Sequence, residues 1–373
     1  MVGALILLVT LAQSGDGLDE KKTANGLAAY VRVPRSYNAK VGAPALVWLH
    51  GSNADSREYI ESFAKQPWLR DWILIGINGE TGSKERGFNY TFDSAPLLVA
   101  AYDELTQKLK VSRAFIGGHS QGAYVTFSVV MGHPEKFAGA IPVAGGLWMQ
   151  CEPERYKGEE LDKRKGIAIA IVHGRKDDVV EIGLSEGAHF SLVDAEFPMV
   201  RFFDPAEATH MFFTLPVKEA IEWCAAASER DAKKLAGFAL AAAGERRWRD
   251  ATVAAQRAKA GAVQKAAERE AAGRGKALAA RMAKEQNDSW VRDFWAYRTE
   301  FQFTDAAKPI LAAYAKLRDE HDQPAKNLFF KAREDFQNNR DDDAYRSYEE
   351  IVKKYYGSQW YFYAKRGLEK RKK

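Results

Sequence analysis

The chain has 373 residues, enough for two or three folded units, and its 46% hydrophobic and 28% charged composition excludes a disordered or fibrous protein. Charge is unevenly spread: positions 225–373 carry 32 Lys and Arg against 22 Asp and Glu, a net +10, whereas 1–224 stand at −5. Two cysteines, Cys151 and Cys224, exclude a disulfide-rich scaffold and a four-cysteine zinc site; they can pair with each other or lie buried as thiols.

Val2 to Ala12 (VGALILLVTLA) is an apolar run too short to span a bilayer, and small and polar residues follow it from Gln13 to Gly17. It reads as a signal peptide over 1–17, although no Lys or Arg precedes Lys21, and predicts a protein exported to the periplasm or the medium with no transmembrane segment. Between Leu27 and Cys224 short apolar runs alternate with amphipathic stretches. Strands are predicted at Ala45–His50, Trp72–Ile77, Ala114–Gly117, Gly139–Val143, Ile167–Val172 and Met199–Phe203, with helices at Ser94–Leu109 and Glu219–Ala227. This order predicts a three-layer α/β domain with a mostly parallel sheet over 27–224.

From Ala225 to Ala283, 23 of 59 residues are alanine and none is proline, which favours helix. With few large apolar residues to form a wide stripe, a partly solvated helical connector is expected over 225–285, weakened as a hinge at Gly273 and Gly275. Residues 286–373 are rich in aromatics and predict an all-α region. There Leu328, Ala332, Ala344, Tyr348 and Ile351 flank the polar turn Asn338–Asp341, offsets that resemble one tetratricopeptide repeat and equally suit an ordinary helical hairpin.

The chemistry-bearing residues lie in the first part. Gly118-His119-Ser120-Gln121-Gly122 sits between a strand and a helix, the setting in which small glycines permit a sharp turn that lifts a serine hydroxyl off the sheet edge. A serine hydroxyl is a weak nucleophile at neutral pH and needs an imidazole base, itself oriented by an acid. His173-Gly174-Arg175-Lys176-Asp177-Asp178 follows the strand ending at Val172 and supplies the acid. Ala208-Thr209-His210 follows the last strand and supplies the base, giving the chain order Ser, Asp, His.

With these motifs and His50-Gly51 after its strand, the segment from Leu27 to Cys224 resembles the α/β-hydrolase family, in particular its serine esterases: carboxylesterases, dienelactone-hydrolase-like proteins, feruloyl and acetylxylan esterases and polyhydroxybutyrate depolymerases. The resemblance implies Ser120 as nucleophile, His210 as base and Asp177 as acid. Asp177 is preferred to Asp178 because the family's acid stands four residues after the histidine. Two departures are the doubled acid and the replacement of the usual glycines before the base by Ala208 and Thr209. An acyl-transfer site also needs amide donors for the oxyanion; the amide of Gln121 should supply one and that of Ser52 the other, with Asn53 as the alternative. His50 is expected to shape that loop, His119 to support the site without reacting, and Trp148 either to line a substrate pocket or to pack in the core.

No H-E-x-x-H, Cys/His cluster or phosphate-binding loop occurs, so no metal and no cofactor are expected. His133, His173, His189 and His321 have no partner at metal-ligand spacing. The basic tail mixes Lys and Arg with Asp and Glu, which predicts solvated helical faces and no nucleic-acid binding; a protein or surface partner is expected for it instead. The predicted activity is hydrolysis of small-molecule or polymer-linked esters through an acyl-enzyme. The alternatives are a serine peptidase of the prolyl-oligopeptidase type and an inactive scaffold acting through its tail.

Overall fold

Runs of aliphatic and β-branched residues, each cut short by turn residues, build the sheet of the first unit. The structure, a computed structural model, describes residues 17–285, 287–358 and 360–371, so all of the expected signal segment but Gly17 lies outside the described residues. Two compact units divide the chain at Ser228 and Glu229.

The first unit runs through strands β1 (Asp19–Lys22), β2 (Ala28–Arg32) and β3 (Ala43–Leu49), helix α1 (Ser56–Ala64), β4 (Ile73–Ile77), the hairpin β5 (Thr81–Ser83) and β6 (Gly87–Asn89), and α2 (Ser94–Thr106). It continues through β7 (Val111–His119), α3 (Gln121–Gly132), β8 (Gly139–Val143), α4 (Glu159–Lys165), β9 (Ala168–Val172), α5 (Ile182–Asp194), β10 (Val200–Phe203) and α6 (Val217–Ala227). Eight strands form one sheet in the order β1-β2-β4-β3-β7-β8-β9-β10. The β1/β2 and β2/β4 pairs are antiparallel and the remaining pairs parallel, so the expected three-layer α/β architecture is present.

The central strands are buried along their whole length, as a parallel sheet with helices on its faces requires. The backbone of Gly117 comes so close to Trp48 that a Cβ there would stand 2.3 Å from the indole, so a glycine is needed in the middle of β7. Strand β2, AAYVR, is largely buried beside β4 but lies outside the strands predicted from periodicity, as does β1, which reads DEKK and lies at the sheet edge, where charge discourages pairing with another chain. Both cysteines are free thiols. Cys151 Sγ lies 3.2 Å from Ser128 Oγ, and Cys224 is buried in the core.

The second unit is helical: α7 (Ala232–Gly244), α8 (Trp248–Ala258), α9 (Gly261–Lys284), α10 (Val291–Phe301), α11 (Lys308–Gln337), α12 (Asp341–Lys354) and α13 (Trp360–Arg371). Small side chains let its helices approach closely. Leu235, Ala239, Ala254 and Ala255 are buried together between α7 and α8, and Ala325, Ala332, Ala344 and Ile351 between α11 and α12. The hinge expected at Gly273 and Gly275 is absent, because α9 runs unbroken through both. A Cβ on Gly275 would stand 2.6 Å from Ile310 and 2.8 Å from the Tyr297 hydroxyl, so that glycine serves close helix packing, not bending.

Candidate active site

Ser120, Asp177 and His210 follow β7, β9 and β10, all at the carboxyl ends of parallel strands, where open α/β sheets bind ligands. Ser120 links β7 directly to α3 with φ 56° and ψ −116°, a sparsely populated conformation for a residue with a Cβ and the signature of a strained elbow. The flanking glycines make that turn possible. A Cβ on Gly118 would stand 2.3 Å from the Gly122 carbonyl oxygen, and one on Gly122 would stand 2.6 Å from the carbonyl oxygens of Leu49 and His50.

Asp177 is fully buried at its side chain and Asp178 is exposed, so local geometry separates the doubled acid. Asp177 Oδ1 accepts from the backbone N–H groups of Val179 (3.0 Å) and Val180 (2.8 Å). Its Oδ2 lies 2.8 Å from His210 Nδ1 and 3.1 Å from His173 Nε2. Burial by itself would raise the Asp177 carboxyl, but the backbone donors and His210 outweigh it and hold the group below the usual carboxylate range. With Nδ1–H on Asp177, His210 presents Nε2 as a lone pair, the tautomer a general base requires. The hydrogen bonds of the site include none between the Ser120 hydroxyl and His210 among the described residues; such bonds often tighten only with substrate.

His173, one of the four histidines without a partner at metal-ligand spacing, is the residue that sequence reasoning underrated. Its Nε2 faces two acceptors, Asp177 Oδ2 and the Val180 carbonyl (2.9 Å), and therefore carries a hydrogen; its Nδ1 lies 2.8 Å from Ser185 Oγ. Burial pushes its pKa down in spite of these acceptors. The signal was present in the four-residue spacing to Asp177 after a strand.

The loop after β3 is held from several sides. Gly79 N–H donates to His50 Nε2 (3.0 Å), so His50 Nδ1 carries the hydrogen and donates to the Gly51 carbonyl (2.6 Å), while the ring stacks on Tyr90 at 4.4 Å. Burial holds His50 at about 4, hence neutral at pH 7. In a trans peptide the carbonyl and the following N–H point in opposite directions, so fixing the Gly51 oxygen also fixes the direction of the Ser52 amide. A Cβ on Gly51 would stand 3.4 Å from the Ser120 Cβ, which places this loop beside Ser120. Asn53 (φ 55°) exchanges hydrogen bonds with Asn89. Gln121, at the start of α3 where amides lack intrahelical partners, clamps Tyr90 through both ends of its side chain (3.0 and 3.1 Å).

Trp148 is half-buried, stacked on Tyr124 at 5.7 Å and tilted against Phe92 at 4.5 Å. Tyr124 stands one helical turn after Ser120, and Phe92, Met149 and Phe213 are exposed. Among the described residues no group of His, Cys, Asp and Glu could hold a metal ion, and no helix is long and apolar enough to cross a membrane.

Residues 44–197 match the family described as phospholipase/carboxylesterase. The chain is similar to acyl-protein thioesterase 1 of Eremothecium gossypii, 28% identical over 108 residues that span 28% of this chain and 42% of that protein. It is also similar to 2-succinyl-6-hydroxy-2,4-cyclohexadiene-1-carboxylate synthase of Enterobacter sp. strain 638, 28% identical over 130 residues, 33% of this chain and 46% of that protein. The chain thus spans less than half the length of the curated relatives it matches. Among solved structures, acyl-protein thioesterase 2 of Zea mays is similar over 53% of this chain and 96% of that one, at 19% identity and a TM-score of 0.43.

Proposed function

We propose that the first unit, an α/β-hydrolase of the esterase and thioesterase type, cleaves carboxylic esters through an acyl-enzyme on Ser120. What carries this reading is the hydrogen bond between buried Asp177 and His210 on the same sheet edge as the strained Ser120 elbow. Ser120 Oγ attacks the acyl carbon and passes its proton to His210 Nε2, while Asp177 stabilises the imidazolium that forms. The amides of Gln121 and Ser52 are the donors assigned to the oxyanion. His210 then protonates the leaving alcohol or thiol and activates the water that releases the acid.

The rings of Phe92, Trp148 and Tyr124 beside the elbow support a substrate with an apolar acyl or alcohol part. Export rests on the run Val2–Ala12, and the tail is proposed as a tetratricopeptide-like docking region on the small residues Ala332 and Ala344 between α11 and α12.

Labelling with a fluorophosphonate probe tests the mechanism. The expected result is one adduct, located on Ser120 by peptide mass spectrometry and missing in Ser120→Ala, with hydrolysis of p-nitrophenyl butyrate falling by at least ~10³-fold in the same variant. A folded protein that takes no label would sink the reading.

A further inference from the structure

One hydrogen-bond chain runs from α1 through the residue before Ser120 to the loop that carries His210. The Tyr59 hydroxyl lies 3.0 Å from His119 Nδ1, and His119 Nε2 lies 2.9 Å from the carbonyl oxygen of His210. A carbonyl can only accept, so Nε2 carries a hydrogen. Burial holds the His119 ring at about 4, so at pH 7 it is neutral, Nδ1 presents a lone pair, and Tyr59 donates to it. Every link then has a defined direction, from Tyr59 through His119 to His210.

An apolar contact runs alongside. Phe212, two residues past His210, packs edge-on against Tyr59 at 5.0 Å and Trp48 at 5.4 Å. The neutral state of His119 matters for the chemistry because its ring stands 4.8 Å from that of His210, which takes up a proton during the reaction. A second charge at that distance would oppose the proton transfer. Asp177 and His173 are the other titratable groups acting on His119.

We propose that Tyr59 and His119 are positioning residues that hold the backbone of His210 against the nucleophile elbow and so set where its base nitrogen stands. This rests on the hydrolase reading. Neither side chain is assigned contact with the reacting atoms; both act through His210.

The test uses the full chain with Tyr59→Phe, His119→Leu and His119→Gln, recording kcat and KM for p-nitrophenyl butyrate, the rate of fluorophosphonate labelling, and the thermal midpoint. Misplacement of a catalytic group by about 1 Å can cost ~10²-fold. The expectation is a fall of roughly ten- to a hundredfold in kcat and labelling rate for Tyr59→Phe and His119→Leu, with KM within about twofold. His119→Gln can still donate to the carbonyl and accept from Tyr59, and should stay within about threefold of the parent. Combining Tyr59→Phe with His119→Leu should cost no more than the worse single change, since both break one chain.

The proposal is overturned if His119→Gln is as slow as His119→Leu, if the losses multiply, or if only the thermal midpoint moves. Should His119→Leu fail to fold, Tyr59→Phe decides, because it removes one oxygen and leaves the ring in place. A parent labelled on Ser120 with Tyr59→Phe unaffected overturns this proposal alone; an unlabelled parent overturns the hydrolase reading as well.

Discussion

Asp177 lies against two imidazoles, and its three donors, the amides of Val179 and Val180 and His210 Nδ1, explain why one acid of a doubled pair is selected. Asp178 follows it in sequence, yet points to solvent, while the turn after β9 aims the amides of Val179 and Val180 at Asp177 Oδ1 and frees Oδ2 for His210 and His173. Asp177→Asn would leave the shape intact while the amide nitrogen disturbs the His210 tautomer; kcat should fall by roughly 10³- to 10⁴-fold, by analogy with triad acids in general. Asp178→Asn should leave kcat within about twofold. Steady-state kinetics of the two variants check the assignment, and equal losses would refute it.

At the scale of elements, the site depends on how closely α3 can press against the end of β3. Gly122 is the contact point, with the carbonyl oxygens of Leu49 and His50 at 2.6 Å from where its Cβ would be. Gly122→Ala must push the helix and the loop after β3 apart. The expected cost is about 1–3 kcal/mol of stability together with a loss of kcat, because the Gln121 and Ser52 amides proposed as oxyanion donors would be moved apart. Denaturant unfolding and kinetics on the same variant test this; an unchanged kcat would separate the loop from the oxyanion site. The motif G-x-S-x-G announced a turn, but the distance to β3 was not legible in it, since Gly122 and His50 lie seventy-two residues apart in sequence and meet only through the β3/β7 pairing.

For the molecule as a whole, buried neutral histidines link stability to pH. His50 and His119 are pushed down to about 4 by burial, whereas an unfolded imidazole titrates near ~6.5. Between these values the unfolded chain binds more protons than the folded one. Their stabilisation is therefore fully present above about pH 6.5 and is lost as pH falls toward 4, by at most ~3 kcal/mol for each ring. Asp55 acts on His50, and His210, Asp177 and His173 act on His119. Denaturant midpoints measured from pH 7.5 to 4.5 should fall, and His50→Gln should flatten that slope; an undiminished slope in the variant would exclude this origin.

By itself the sequence determined the α/β class, the order of the six main strands and the nucleophile, acid and base candidates, because alternating apolar runs and strand-adjacent motifs are local patterns. Strand β2 (AAYVR) escaped it, as did the edge strand β1 and the hairpin of β5 and β6, which are short or polar and formed through pairing with other segments. The unbroken course of α9 through Gly273 and Gly275 escaped it too; at Gly275 packing against Tyr297 and Ile310 overrides the weak helix propensity of glycine. Only the tertiary structure decided which side chains hold the His210 segment in place. Tyr59 and His119 owe their contacts to segments brought together at one end of the sheet, and a hydrogen bond between residues sixty or ninety positions apart leaves no periodic trace in the sequence.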